Sequence, residues 1–352
     1  MSDNPYSDLP ERAFWRPSIS ARNPLSLVDL YEKKFELTQS DRIVTAGSCF
    51  AQHIARKLKA SGFTFCDYEP APPQLPAHLH GAFNYGVYSA RYCNIYTVRQ
   101  LLQTFDRAYG HFTPQEPAWS KDGGVVDPFR PALEPEPFKD VDELEVARES
   151  HLKSVRDVFE KSDLFVFTMG LTEGWVSRGD GAVFPLCPGT AAGSFDPDAY
   201  QFVNFTYPEI HADLMAFIER LRGVNPGVRL LLTVSPVPLV ATMSGDHVLS
   251  ATSYSKSVLR AVAGQVSKEL DFVDYFPSYE IIAAAPMRGM FFEPNMREVN
   301  PAGVDYVMSH FFRQHAPQAG APAPAPASET PSAAERSDVE IVCEEMMLDT
   351  GR

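Results

Sequence analysis

Three short, unbroken apolar runs, separated by stretches of helical periodicity, constrain the fold of this chain most. They are Arg42-Ile43-Val44-Thr45-Ala46, Leu164-Phe165-Val166-Phe167-Thr168 and Val228-Arg229-Leu230-Leu231-Leu232-Thr233-Val234. None alternates apolar with polar residues as a half-exposed strand would, so each needs cover on both faces. Between and after them, apolar residues recur at helical spacing: Phe50, Ile54 and Leu58; Val98, Leu101, Leu102 and Phe105; Leu144, Leu152, Val155 and Phe159; Ile210, Leu214, Phe217, Ile218 and Leu221; and Val258, Leu259, Val262, Val266 and Leu270. Phe63-Thr64-Phe65 and Phe272-Val273-Asp274-Tyr275 read as two further short strands, and Asn300-Pro301 as the N-cap and first position of a last helix. Buried strands alternating with amphipathic helices predict an α/β fold of three layers, a parallel sheet with helices on both faces. Ligands of such sheets bind beyond the carboxyl ends of the strands. The turns after Ala46, Thr168, Val234 and Tyr275 are therefore where chemistry is expected.

The chain has 352 residues, 44% of them hydrophobic, enough for one large packed core. Residues 1–40 read as an arm packed on that domain, residues 41–315 as the domain itself, and residues 316–352 as an Ala/Pro-rich disordered linker and acidic tail. Residues 70–76 and the proline-rich 112–140 read as long loops. Val339 to Leu348 mixes apolar and acidic residues; it reads as a frayed tail or as a short helix able to recruit a protein partner. A net charge of −14 disfavours phosphate backbones, so no nucleic acid is expected as a partner. Five cysteines without a C-x-x-C pair fit reduced thiols. No segment is apolar and long enough to span a bilayer, and the first residues lack a signal-peptide pattern. A cytoplasmic location is expected. His78 and His80 have no third ligand nearby, so neither a metal nor another cofactor is expected.

The first turn carries the strongest chemical signal. Gly47 permits a tight reversal, and Ser48 and Cys49 then open a helix. Unpaired amides and the dipole at a helix N-terminus favour an anion, so a thiol there is activated as thiolate. The same amides can hold an oxyanion. Strand, sharp turn, nucleophile and helix is the arrangement of nucleophile elbows. The ordinary alternative is a Gly-Ser turn with a capping Ser48 and a small buried Cys49.

Gly47-Ser48-Cys49-Phe50-Ala51 resembles the signature of the GSCFA family. Asn84-Tyr85-Gly86, Thr168 to Trp175, Val234 to Pro238 and Thr252 to Leu259 resemble further blocks of that family, in order, over roughly residues 40–315. GSCFA proteins are in turn similar to SGNH (GDSL-type) hydrolases. The resemblance implies a flavodoxin-like, SGNH-hydrolase-like fold and an esterase or O-acyltransferase acting on an acylated carbohydrate or small molecule. By that resemblance Cys49 stands at the nucleophile and Ser48 at the residue before it. Asn84 or Gly86, with Gly170 and Thr172, stand at the oxyanion donors. The late Asp-x-x-His of the superfamily is absent: Asn295 stands for the Asp and Glu298 where the His would be. The same departure leaves open a non-catalytic binding or regulatory protein on this fold.

Other groups could supply the missing base. His247 follows the third apolar run on a loop at the binding edge, and His53 lies one turn after Cys49. Glu173 reads equally as an acid/base group or a structural partner, and Trp175 as a cleft wall or a packing residue. Lys256 reads mainly as a solvated lysine.

Overall fold

The computed structural model describes residues 4–315 and 344–348. The expected linker at 316–332 lies outside them.

The apolar runs form the strands β1 (Ile43–Gly47), β4 (Leu164–Met169) and β8 (Arg229–Val234), joined by β9 (Val273–Tyr275). They pair in parallel in the order β1-β4-β8-β9. Phe65 adds a parallel bridge to Ile43 on the other side of β1. With Phe65 counted as the second strand position, the order is 2-1-3-4-5, the flavodoxin-like arrangement. The expected strand at 63–65 is thus reduced to a single bridge, which fits its length of three residues.

Side chains on successive strand positions point to opposite faces, and two separate cores result. Val44, Ala46, Phe165, Phe167, Leu230 and Leu232 pack under α2 (Val98–Ala108), α3 (Val141–Lys161), α4 (Tyr207–Val224) and α5 (Val248–Glu269). Ile43, Val166 and Leu231 face the other way, against α1 (Phe50–Ala60), α6 (Ser278–Ala283) and α7 (Pro301–His315). Leu27, Tyr31 and Leu37 join this second core, and the Tyr31 hydroxyl donates to Asp274 Oδ2 at 2.8 Å. The three-layer α/β expectation holds.

Helix starts follow local chemistry. Thr97 and Gln100 form a capping box on α2, and Asp140 caps α3. Asn300 Oδ1 accepts from Gly303 N at 2.8 Å, as its place before Pro301 suggests.

One part of the architecture was not expected. The stretch read as a long loop holds a hairpin, β2 (Trp119–Lys121) with β3 (Gly124–Val126). A second antiparallel sheet has the order β6 (Val183–Phe184), β5 (Glu173–Ser177), β7 (Tyr200–Asn204). Together they bury a satellite core of Trp119, Val126, Phe184 and Tyr200. These strands are two to five residues long and carry little apolar alternation, so periodicity does not reveal them. β5 begins four residues after β4 ends. The small sheet is therefore tethered to the carboxyl edge of the main one, beside the first turn.

Candidate active site

Gly47 closes β1 with φ +133. A Cβ there would lie 2.3 Å from the Thr168 carbonyl oxygen and 2.8 Å from its nitrogen. Only glycine fits, because the chain must turn while still touching β4. Ser48 N donates to Thr168 O at 3.1 Å, and Ile95 N donates to Gly47 O at 2.9 Å. The turn is thereby pinned between β4 and the segment ahead of α2.

Ser48 and Cys49 have different fates. Ser48 is buried and its Oγ makes no hydrogen bond among the described residues. Its Cβ packs on Gly170, where an added Cβ would come within 2.9 Å. Cys49 is the N-cap residue of α1 and is 5% exposed. It interacts electrostatically with two buried groups, Tyr88 and Lys256.

Lys256 departs most from its expected place. It is wholly buried on α5, and its Nζ donates to Gly170 O at 2.6 Å. Burial brings its pKa down to about 8, against the opposing pull of Glu345 and Cys49. Gly170 touches Ser48 on one side and holds Lys256 on the other, so the amine sits at the first turn. A lysine on an amphipathic helix is normally solvated; here α5 buries this one against the end of β4.

Asn94 and Tyr88 complete the polar group. The Tyr88 hydroxyl donates to Asn94 Oδ1 at 2.5 Å, and Gln52 Nε2 donates to the Tyr88 hydroxyl at 3.1 Å. The same hydroxyl lies 3.4 Å from the Ser48 carbonyl. Fixing Oδ1 in this way orients the Asn94 amide, and its Nδ2 donates to Glu344 Oε2 at 3.3 Å. Asn94 escaped the sequence reading; its one signal is an amide in the otherwise aromatic and apolar run Tyr92 to Tyr96.

Several residues singled out in the sequence have their polar groups bonded to other parts of the chain. Asn84 Nδ2 donates to the carbonyls of Ala132 and Leu133, at 2.9 and 3.0 Å. Gly86 O accepts from Lys59, near the far end of α1. Gly170 N donates to Tyr96 O at 3.1 Å, and Thr172 N donates to Ser255 Oγ at 3.0 Å. The Thr172 hydroxyl donates to Asn204 Oδ1 at 2.7 Å. Those donors are committed to the scaffold. Glu173 Oε1 accepts from Thr242 Oγ1 at 2.7 Å, and burial raises its pKa. Trp175 packs edge-on against Phe195 and Phe202 in the small sheet.

The two expected bases, His247 and Glu298, are both exposed. His247 is exposed and caps α5, its Nδ1 accepting from Leu249 N at 3.2 Å. Glu298 is exposed, because Asn295 Oδ1 accepts from both Arg297 N and Glu298 N at 3.0 Å. That turn presents Arg297 instead, whose Nε donates to Pro238 O at 3.2 Å. His53 packs on Phe50, and burial pushes its pKa down to about 3, so it stays neutral.

Fold and turn together define an α/β protein with a cysteine at the N-cap position of a helix, at the carboxyl edge of a parallel sheet. The GSCFA family's sequence profile matches residues 42–311, and the chain belongs to that family. No curated protein matches it. Among solved structures, an acetyl esterase mutant with an acetate ion is similar at 12% identity and a TM-score of 0.28, covering 62% of this chain and 88% of that one. A carbohydrate esterase family 3 protein from Talaromyces cellulolyticus is similar at 12% identity and a TM-score of 0.27, with the same coverage. Among the described residues no group of side chains could hold a metal ion, and no helix is long and apolar enough to cross a membrane.

Proposed function

We propose that this protein is an SGNH-like hydrolase or O-acyltransferase acting on an ester of a small molecule or carbohydrate, with Cys49 as nucleophile and Lys256 as its base. The observation that carries this is a wholly buried lysine whose Nζ donates to Gly170 O at 2.6 Å, on the residue that packs against Ser48 of the first turn, with a pKa lowered by burial to about 8. A buried amine that is partly neutral near physiological pH is suited to proton transfer. Neutral Lys256 takes the proton of the Cys49 thiol, and the thiolate attacks the ester carbonyl. The oxyanion is stabilised by the Phe50 amide at the start of α1 and by Asn94 Nδ2, which Tyr88 holds in place. Collapse breaks the ester C–O bond, leaves a thioester on Cys49, and the Lys256 ammonium protonates the departing alkoxide. Water, or an acceptor hydroxyl, then attacks the thioester while Lys256 again takes the proton, regenerating the thiol. Ser48, buried with its Cβ against Gly170, serves the turn rather than the attack.

The test is hydrolysis of short-chain aryl esters by wild type, Cys49→Ala and Ser48→Ala. The reading expects activity lost in the first and largely kept in the second. Equal activity in all three removes Cys49 as nucleophile. No hydrolysis of any ester favours a binding protein on this fold, a reading that draws on the two glutamates already held beside the turn.

A further inference from the structure

Residues Glu344–Leu348 form a short 3-10 turn against the site, far in sequence from everything they touch. Glu344 is 2% and Glu345 8% exposed, unusual burial for adjacent carboxylates. Glu344 Oε2 accepts from Asn94 Nδ2 at 3.3 Å. Glu345 Oε2 pairs with Arg297 Nη2 at 3.2 Å, and its charge acts on Lys256. Met346 Sδ lies 3.1 Å from Arg297 Nη1. Met347 and Leu348 lead back toward solvent. Adjacent carboxylates leave water only where cations and donors replace it. Here the replacements are the groups around the nucleophile: Asn94, Arg297 and Lys256. Arg297 stands there because the Asn295 turn directs it inward, in the sequence block where the superfamily keeps its base.

We propose that Glu344–Leu348 is a built-in pseudosubstrate: the groove beside Cys49 selects ligands that carry a carboxylate, and the chain's own C-terminal segment fills it until such a ligand displaces it. This deepens the esterase reading by naming its substrate class, an ester whose non-reacting part bears a carboxylate, and it rests on that reading for catalysis alone. Arg297 and Asn94 read the carboxylates, while Lys256 feels the second of them through its charge. Cys49 is shielded while the segment is in place and open when it leaves.

The experiment follows alkylation of Cys49 in the full chain by peptide mass spectrometry, using iodoacetamide and a bulky maleimide. Wild type is compared with the double variant Glu344→Gln/Glu345→Gln. The proposal expects slow labelling in wild type and labelling about tenfold faster or more in the variant. The gain should be larger for the maleimide, because displacement opens space as well as changing charge. In the variant, N-acetyl-glutamyl-glutamate amide should restore protection, and the glutaminyl counterpart should not. Unchanged labelling, equal gains for both reagents, or equal protection by both dipeptides would overturn it. Labelling needs no turnover, so a chain that labels as expected yet hydrolyses no ester keeps the pseudosubstrate and loses the catalytic reading.

Discussion

Replacing Lys256 by methionine removes the proposed base while keeping most of its volume. With a pKa of about 8, roughly one-tenth of Lys256 is neutral at pH 7. If neutral amine is required, kcat/KM on an aryl ester rises about tenfold per pH unit below 8 and levels off above it. Lys256→Met should abolish that limb and lower kcat/KM by roughly 10²- to 10⁴-fold, the usual worth of a positioned base. The fold should survive, because the lost charge is buried and makes one hydrogen bond, to Gly170 O. Because Gly170 O loses its donor and Glu345 a nearby cation, a loss of about 1–3 kcal/mol in urea unfolding is expected. Lys256→Arg separates proton transfer from charge. Arginine stays protonated, so activity should be lost with the positive charge intact. The reasoning is refuted if Lys256→Met keeps kcat/KM within about threefold of wild type with the limb in place.

Four further outcomes are expected. Glu345→Gln removes a carboxylate that holds the Lys256 pKa up, so the rising limb should move to lower pH in the pH–rate profile. Gly47→Ala forces a Cβ to 2.3 Å from Thr168 O at φ +133, and should cost about 3 kcal/mol or more by denaturant titration. Asp127→Asn strips the wholly buried carboxylate paired with Arg130 at 2.9 Å and flanked by Arg107 and Arg148; a loss of about 3–5 kcal/mol is expected. His53, His310 and His315 have pKa values lowered by burial to about 3, 4 and 4, so the unfolded chain takes their protons first as pH falls. Stability should therefore drop between about pH 6.5 and 4, at up to roughly 1.4 kcal/mol per pH unit for each histidine. A flat melting temperature across that window would contradict this assignment.

The frame of the molecule was legible because its signals are local and periodic. Leu164 to Thr168 and Leu230 to Val234 are apolar on both faces, and both faces are indeed covered. Gly47 and the Asn300-Pro301 helix start could be read for the same reason: each is a backbone requirement written in one or two residues. The polar constellation was not legible, since it depends on which way a helix or turn faces. Lys256 looks like any lysine on α5 until packing buries it at Gly170. Glu298 and Arg297 are neighbours on the Asn295 turn, yet Glu298 is exposed while Arg297 reaches Pro238 and Glu345. Asn84 and Asn94 are the same residue type ten positions apart; one ties a loop to Ala132 and Leu133, the other stands beside Tyr88. The contact of Glu345 with Arg297 spans 48 residues of sequence, and no spacing rule announces it.

The central claim is that Cys49 carries the acyl group. Wild-type protein mixed with p-nitrophenyl acetate, quenched within the first turnovers and digested, should yield an acetylated peptide containing Cys49. Neutral hydroxylamine should remove that group, as it does a thioester, and Cys49→Ala should show none. Acetyl on Ser48, or ester hydrolysis with no adduct on Cys49 and full activity in Cys49→Ala, would contradict the account.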